Sequence, residues 1–115
     1  MKYEIRHETA SKAGKADLVK GAEKAHLRIV LEGEIDLHVA AELRGALRKA
    51  AETKPLLIIA DLGCVPFIDS SGIATIVEAL KNVRRWSGKL KVENSQEAVR
   101  DTFEIAGLTE IHGIG

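Results

Sequence analysis

The stretch Leu56-Leu57-Ile58-Ile59-Ala60-Asp61-Leu62 decides the fold of this chain. Five consecutive apolar residues do not suit a strand with one solvated face. They indicate a central strand that is covered on both faces, as in a sheet surrounded by helices. Pro55 precedes the run and a connection from Gly63 to Pro66 follows it. The run therefore predicts the centre of an α/β sheet.

Apolar spacing predicts three helices around this strand. Residues that recur at three- and four-residue intervals indicate helices over 38–52, 70–85 and 95–106. Ser95 is a candidate N-cap of the third helix, and Gly107 is its candidate C-cap because glycine tolerates a left-handed backbone. Each helix is expected to lay its apolar stripe against the sheet.

Further strands complete the predicted sheet. Residues 3–7 alternate weakly and indicate a short edge strand, and residues 27–31, 90–92 and 110–112 indicate three more. The Ala-, Gly- and Lys-rich segment 10–24 shows no strong period and is predicted to be a mobile loop. Strand–helix–strand units with short joints imply a mixed, mostly parallel sheet of about four to five strands, with helices packed against it.

Composition limits the classes of function. A chain of 115 residues is expected to form a single domain over 1–115. It has 17 basic and 17 acidic residues, so no global field favours nucleic acid or an anionic membrane. No apolar run approaches the ~20 residues of a membrane span, and the first residues lack the apolar core of a signal peptide. With a lone cysteine, Cys64, these features predict a cytoplasmic protein without membrane insertion.

The tetrapeptide Asp69-Ser70-Ser71-Gly72 is the strongest candidate for a functional site. It links the buried strand to the second helix, where free backbone N–H groups and the helix dipole favour a negative group such as a phosphate. Asp69 is a candidate N-cap, and Gly72 is expected to leave room for a phosphate or a partner backbone. Taken alone, the four residues are also ordinary helix-capping chemistry.

Helix periodicity separates the two serines. Ser70 shares a face with Ile73 and Val77, so its side chain is expected to point toward the core or to cap the helix. Ser71 shares the other face with Thr75 and Glu78, which predicts that Ser71 carries the reachable hydroxyl. A phosphate there would add about −1.5 to −2 charge and three acceptor oxygens, which suits a binding switch.

Two segments together resemble the STAS domain family, whose best-known soluble members are bacterial anti-sigma-factor antagonists. The first segment is Gly33-Glu34-Ile35-Asp36, at the end of a predicted strand, and the second is Ile68-Asp69-Ser70-Ser71-Gly72. The resemblance covers about residues 27–108. It implies a single STAS-like domain that acts through protein binding.

The resemblance implies a switch and a set of partners. Such antagonists bind an anti-sigma factor that is also a serine kinase, which phosphorylates the second serine of the motif, here Ser71. A serine phosphatase reverses the modification. Asp36 matches an acidic position near the partner surface, and Asp69 matches the aspartate beside the phosphoacceptor. The predicted partner-binding residues are Asp36, Asp69, Ser70, Ser71, Gly72 and Thr75.

Two other functions compete with this interpretation. One is a STAS subunit of a membrane assembly such as a lipid ABC transporter, although members of that kind often lack the intact motif that this chain retains. The other is an enzyme with Ser70 or Ser71 as nucleophile, which needs a base within reach and, in a hydrolase elbow, the pattern GxSxG. Ile68 stands where that pattern needs its first glycine, so no enzyme is expected. The four histidines lack metal-ligand spacing, and no cofactor is expected.

Overall fold

Four strands and three helices alternate along the chain in the computed structural model, which describes residues 1–8 and 26–108. The strands are β1 (Lys2–Glu8), β2 (His26–Glu32), β3 (Leu57–Cys64) and β4 (Lys89–Glu93). The helices are α1 (Ala40–Ala50), α2 (Ser70–Val83) and α3 (Glu97–Ile105), with single 3-10 turns at Leu37–Val39 and Arg84–Trp86. The predicted loop at 10–24 and the predicted strand at 110–112 lie outside the described residues.

The strands form one mixed sheet in the order β1-β2-β3-β4. β1 runs antiparallel to β2, whereas β2, β3 and β4 are parallel neighbours. β3 therefore lies between two strands, as its continuous apolar run predicts, and β1 is the predicted edge strand. The α/β class, the mixed and mostly parallel sheet and the packed helices are all confirmed.

The expectation that helices cover both faces of β3 is wrong for the part of the chain that the structure describes. Ile58, Ala60 and Leu62 join one hydrophobic cluster, which also contains buried residues of all three helices. Because β2, β3 and β4 follow one another across the sheet, two right-handed crossovers bring α1 and α2 to the same face. Ile59 points to the opposite face and is buried outside that cluster.

The structure confirms the glycine predicted at the end of α3 but not the predicted N-cap of that helix. Gly107 has a φ of +77°, and its amide and that of Leu108 donate to the carbonyls of Glu104 and Phe103, as expected after a helix C-terminus. At the other end α3 begins later than predicted. Its N-cap is Gln96 rather than Ser95, and the Gln96 side chain makes no capping hydrogen bond.

The face opposite the helices carries an ion-pair network centred on Arg28. Its guanidinium donates to Glu8 (2.7 Å), Asp61 (2.9 Å) and Glu93 (2.9 Å), so one side chain on β2 connects to β1, β3 and β4. Register places Ile59 between Arg28 and Lys91. The aliphatic stems of these two cations account for the burial of Ile59 without a helix.

Electrostatics in this network stabilise the charged forms. Burial by itself would lower the pKa of Arg28, but hydrogen bonds to Glu8 and Glu93 raise it. Burial would also raise the pKa of Asp61, but hydrogen bonds from Gly63, Asn94 and Arg28 bring it below its usual value. Burial would likewise raise the pKa of Glu93, but hydrogen bonds from Lys91 and Arg28 lower it below its usual value. The network therefore contributes stability in its ionised form.

Arg28→Met should lower the free energy of unfolding by about 1–3 kcal/mol, because three carboxylates would remain close together without their cation. Urea denaturation at neutral pH measures this loss. Arg6→Met is the matched control: among the described residues Arg6 pairs with exposed Glu4 alone, so its loss should lower the stability much less than the loss of Arg28. Equal losses in the two variants would contradict a structural role for the Arg28 network.

The same variant should change the response to acid. Folded-state pKa values of Asp61 and Glu93 lie below their unfolded values, so their contribution is present above about pH 4 and is lost as pH falls through the folded pKa. Without Arg28 that lowering is smaller. Melting temperature should therefore fall less steeply from about pH 5 to pH 3 in Arg28→Met than in the wild type.

Candidate functional site

Two loops at the carboxyl ends of β2 and β3 form the candidate site. An isolated parallel bridge pairs Ile35 with Ile68 beyond the strands themselves. The amide of Ile35 donates to the carbonyl of Phe67 (2.9 Å), and the amide of Asp69 donates to the carbonyl of Ile35 (3.0 Å). The bridge holds the two segments that carry the family resemblance next to each other. Ligand sites in open α/β sheets form at this edge.

Asp69 caps helix α2 and orients Ser71. One carboxylate oxygen, Oδ1, accepts from the amides of Ser71 (2.9 Å) and Gly72 (3.1 Å). It also accepts from the Ser71 hydroxyl at 2.6 Å. The hydrogen bond from that hydroxyl, together with those from the two amides, lowers the pKa of Asp69. Asp69 is therefore the N-cap that the sequence predicts, and its charge fixes the position of the Ser71 hydroxyl.

Asp36 performs a similar task in the adjacent loop. Its Oδ1 accepts from the amide of His38 at 2.9 Å and caps the 3-10 turn that precedes α1. The backbone of Leu37 hydrogen bonds to Asp69 and adds to the lowering of its pKa. The structure thus brings Asp36 into the same site as Asp69, Ser70 and Ser71, although the sequence separates them by more than thirty residues.

The expected exposure of the two serines is wrong. Ser70 is exposed, whereas Ser71 is half-buried and bonded to Asp69. Thr75, which was expected on the polar face, is only 2% exposed, and its hydroxyl donates to the carbonyl of Ser71 at 2.9 Å. Thr75 therefore supports the first turn of α2 from inside and does not present its side chain to a partner.

The physical reason is the direction in which α2 faces the core. Helical spacing predicts an apolar stripe of Ile73, Ile76, Val77, Leu80 and Val83, but Val77 and Leu80 are only half-buried. The buried residues are Gly72, Ile73, Thr75, Ile76 and Val83. Packing of α1 against α2 turns the buried face toward the side that carries Thr75. Ser70 consequently faces solvent and Ser71 lies at the edge of the buried face.

Gly72 is required for packing within the chain and not for the approach of a partner. It is buried, and a Cβ at this position would lie 2.6 Å from Cγ2 of Ile35 and 2.7 Å from Cγ1 of Ile68. Those two isoleucines form the bridge between the loops. The expectation that Gly72 leaves room for a partner or a phosphate is therefore wrong. A side chain here would separate α2 from the bridge.

Two exposed apolar side chains at the site were missed in the sequence. Leu37 follows Asp36 and is 72% exposed, and Phe67 lies two residues before Asp69 and is 48% exposed. Neither residue belongs to the apolar pattern of a predicted strand or helix. A large apolar residue without a place in such a pattern is the sequence feature that could have identified them. We call Asp36, Leu37, Phe67, Asp69, Ser70 and Ser71 the switch surface. Apolar residues of this kind beside polar groups are typical of protein interfaces.

The carboxylate beside Ser71 is poorly suited to act as its general base. A general base works best with a pKa near the working pH, whereas the pKa of Asp69 is lowered. Asp69 can orient the Ser71 hydroxyl but is a weak base for it. In the described ranges 1–8 and 26–108, no three His, Cys, Asp or Glu residues cluster as metal ligands. None of the helices in those ranges has the length and apolar character of a membrane span.

Sequence comparison agrees with the fold and the motif. Residues 18–114 match the STAS domain family, and the chain belongs to that family. It is similar to the anti-sigma-B factor antagonist of Bacillus subtilis, with 36% identity over 85 residues that cover 74% of this chain and 77% of the relative. The corresponding antagonist of Listeria monocytogenes is 29% identical over 93 residues, covering 81% and 82%.

Solved structures share the fold. The unphosphorylated anti-sigma factor antagonist SpoIIAA superimposes with a TM-score of 0.71 at 21% identity, covering 95% of this chain and 85% of that one. Its phosphorylated form gives a TM-score of 0.62 at 20% identity, covering 95% and 88%. A sulfate transporter family protein from Wolinella succinogenes gives 0.64 at 22% identity, covering 75% and 70%. The fold by itself therefore occurs in more than one functional setting.

Gly72→Ala should destabilise the protein by about 1–3 kcal/mol, because the new methyl group must displace Ile35 or Ile68. Gly45→Ala is the matched control in α1, where nothing lies within 4 Å of an added Cβ. That substitution should stabilise the protein by about 0.5–1 kcal/mol, since alanine favours the helix. Urea denaturation of both variants measures the difference. A Gly72→Ala protein as stable as the wild type would refute the packing role.

Proposed function

We propose that this STAS protein is an anti-sigma-factor antagonist whose binding is switched by phosphorylation of Ser71. The observation that carries the proposal is the position of Ser71 in the first turn of α2, with its hydroxyl held by Asp69 at 2.6 Å. Identity of 36% to an anti-sigma-B factor antagonist supports the same function. The partner is an anti-sigma factor with serine kinase activity, and a serine phosphatase restores the binding form.

Unphosphorylated protein binds its partner through the switch surface. Leu37 and Phe67 supply exposed apolar area, and Asp36 and Ser70 supply polar groups beside it. A few such anchors carry most of the energy in typical protein interfaces. The roles of Gly72 and Thr75 are indirect, because both are buried and hold the first turn of α2 in place. We therefore place the partner contacts on the loops as well as on the helix.

Phosphorylation changes this surface in three ways. A phosphate on Ser71 removes the proton that the hydroxyl donates to Asp69, so that hydrogen bond is lost. It adds about −1.5 to −2 charge directly beside the Asp69 carboxylate, and the two groups repel each other. It also places bulky, strongly hydrated oxygens between the switch surface and the partner. Burying that charge in an interface without a cation opposite it is unfavourable, so the partner dissociates.

The domain remains folded when it is modified. The positive end of the α2 dipole favours an anion at this position by roughly 0.3–1 kcal/mol, which offsets part of the repulsion from Asp69. Structures of phosphorylated and unphosphorylated SpoIIAA both match the fold of this chain, which supports a switch that keeps the fold. Loss of binding is therefore a property of the surface and not of unfolding.

No feature of the site specifically favours the alternative function, a STAS subunit of a membrane transporter. Similarity to the sulfate transporter family protein is 22% identity and concerns the fold alone. Regulation in the cytoplasm, with no direct contact to nucleic acid or membrane, agrees with the balance of 17 basic and 17 acidic residues. Catalysis by the serines is not part of this proposal, because Asp69 is a weak base.

Incubation with the cognate anti-sigma factor kinase and ATP should place one phosphate on Ser71 and none on Ser70. Ser70 is more exposed, but it follows the N-cap directly, and within residues 1–8 and 26–108 no side chain orients its hydroxyl in the way that Asp69 orients that of Ser71. Phosphopeptide mapping identifies the residue. Ser70→Ala should still accept phosphate, whereas Ser71→Ala should not. Phosphate on Ser70 in the wild type would overturn the assignment.

Ser71→Ala should bind the anti-sigma factor and escape the switch, whereas Ser71→Asp should bind more weakly than the wild type but more tightly than the phosphorylated protein. Aspartate carries one charge and fewer acceptor oxygens than phosphate. Calorimetric titration measures the affinity, and a thermal melt of each form serves as the control. If the phosphorylated protein melted far below the wild type while its folded fraction bound normally, unfolding would be the switch and this mechanism would be wrong.

A further inference from the structure

A cleft between α1 and α2 carries a concentration of positive charge that the switch does not use. It encloses about 350 Å³. Its charged lining consists of Arg44, Arg48, Glu78, Lys81 and Arg85. Four cations and one carboxylate form a strong local asymmetry in a chain with 17 basic and 17 acidic residues. A field of one sign in a cleft attracts groups of the opposite sign.

Most of this charge is available to a ligand. Glu78 accepts from Arg44 at 2.8 Å, so the single carboxylate is already paired. The hydrogen bond from Arg44, and then the positive charge of Arg48, lower the pKa of Glu78, as expected in a positive field. Arg48, Lys81 and Arg85 are exposed, and none of them forms an ion pair within the described part of the chain. Leu47 and Val83 form the buried floor of the cleft, and the half-buried Ala79 adds a small apolar surface beside the cations.

We propose that this cleft binds an acidic peptide segment of the protein partner, in addition to the contacts at the switch surface. The inference rests on the proposed function for the identity of that partner. Glu78 follows Ser71 by seven residues on the same helix, so the charged lining that α2 contributes begins roughly 10 Å along the helix axis from the phosphoacceptor. A single partner can therefore span both places.

A peptide fits the cleft better than a small phosphorylated molecule. Small-molecule sites hold their ligand with a few buried, fixed polar groups. The buried polar side chain of this lining is Thr75, and its hydroxyl already donates to the carbonyl of Ser71. The cations are long, exposed side chains, which adapt to a chain of carboxylates and act mainly through charge complementarity.

Charge on Ser71 should have little influence on this second contact. The Debye length is about 8 Å at physiological ionic strength, so the charge of a phosphate on Ser71 is largely screened at the charged residues that α2 contributes, which begin roughly 10 Å away, and more so at Arg85. The positive charge of the cleft is therefore expected to raise the rate at which the protein partner associates and to make that binding more sensitive to salt. The switch surface decides whether the complex persists. The two contributions can be measured separately.

A fluorescein-labelled peptide of ten glutamates is the probe, and fluorescence anisotropy measures its binding at low and physiological salt. Arg48→Glu/Arg85→Glu reverses two charges in the cleft. Lys49→Glu/Arg84→Glu is the matched control, because it makes the same change in net charge at adjacent exposed positions outside the cleft. Circular dichroism verifies that both are folded. We expect the cleft variant to weaken binding at least about tenfold and the control less than about twofold.

Three results would overturn the proposal. If both variants bound the peptide equally weakly, the peptide would be responding to net charge and not to the cleft. If the wild type did not bind the peptide, the cleft would not be a site for an acidic segment. Tight binding of inorganic tripolyphosphate that excludes the peptide would identify a small-molecule site instead. This assay contains neither partner nor phosphoserine, so its failure is independent of the Ser71 switch. Conversely, loss of switching at Ser71 would leave a positive peptide result intact.

Discussion

Parallel pairing of β2 with β3 continues past the ends of both strands, and the functional part of the molecule depends on this continuation. The Ile35–Ile68 bridge holds two loops together that are far apart in sequence. Gly72 permits α2 to start directly against the two isoleucines. Asp36 and Asp69 then cap the two turns that leave the bridge. Without this contact the switch surface would be two unconnected loops.

The stabilising contacts lie on the two faces of the sheet, and the switch surface lies at one edge. On one face the three helices complete a single apolar cluster with β2, β3 and β4. On the other face Arg28 connects all four strands through three carboxylates, and it shields Ile59 together with Lys91. The switch surface lies at the carboxyl edge between these faces, so the proposed phosphate on Ser71 would change the charge of that surface without contacting either stabilising region.

Local chemistry at the site agrees with a modification switch. Asp69 satisfies two amides at the start of α2 and fixes the Ser71 hydroxyl with the same oxygen. That arrangement keeps the hydroxyl ordered before modification and places a negative charge beside it afterwards. In the proposed switch, repulsion from Asp69 would make the modified surface different from the unmodified one, while the helix dipole would offset part of that repulsion.

The sequence by itself determined the class of the fold, the central position of β3, the N-cap at Asp69 and the family, because apolar runs, helical spacing and capping residues act over short distances in the chain. It did not determine how α2 is rotated. Thr75 is buried and Ser70 is exposed because α1 packs against one side of α2, and this contact is not encoded in the spacing of α2 alone. The role of Gly72, the exposure of Leu37 and Phe67, and the Arg28 network likewise depend on residues that are distant in sequence. Only the tertiary structure decided them, because each is set by which segments the sheet and its crossovers bring into contact.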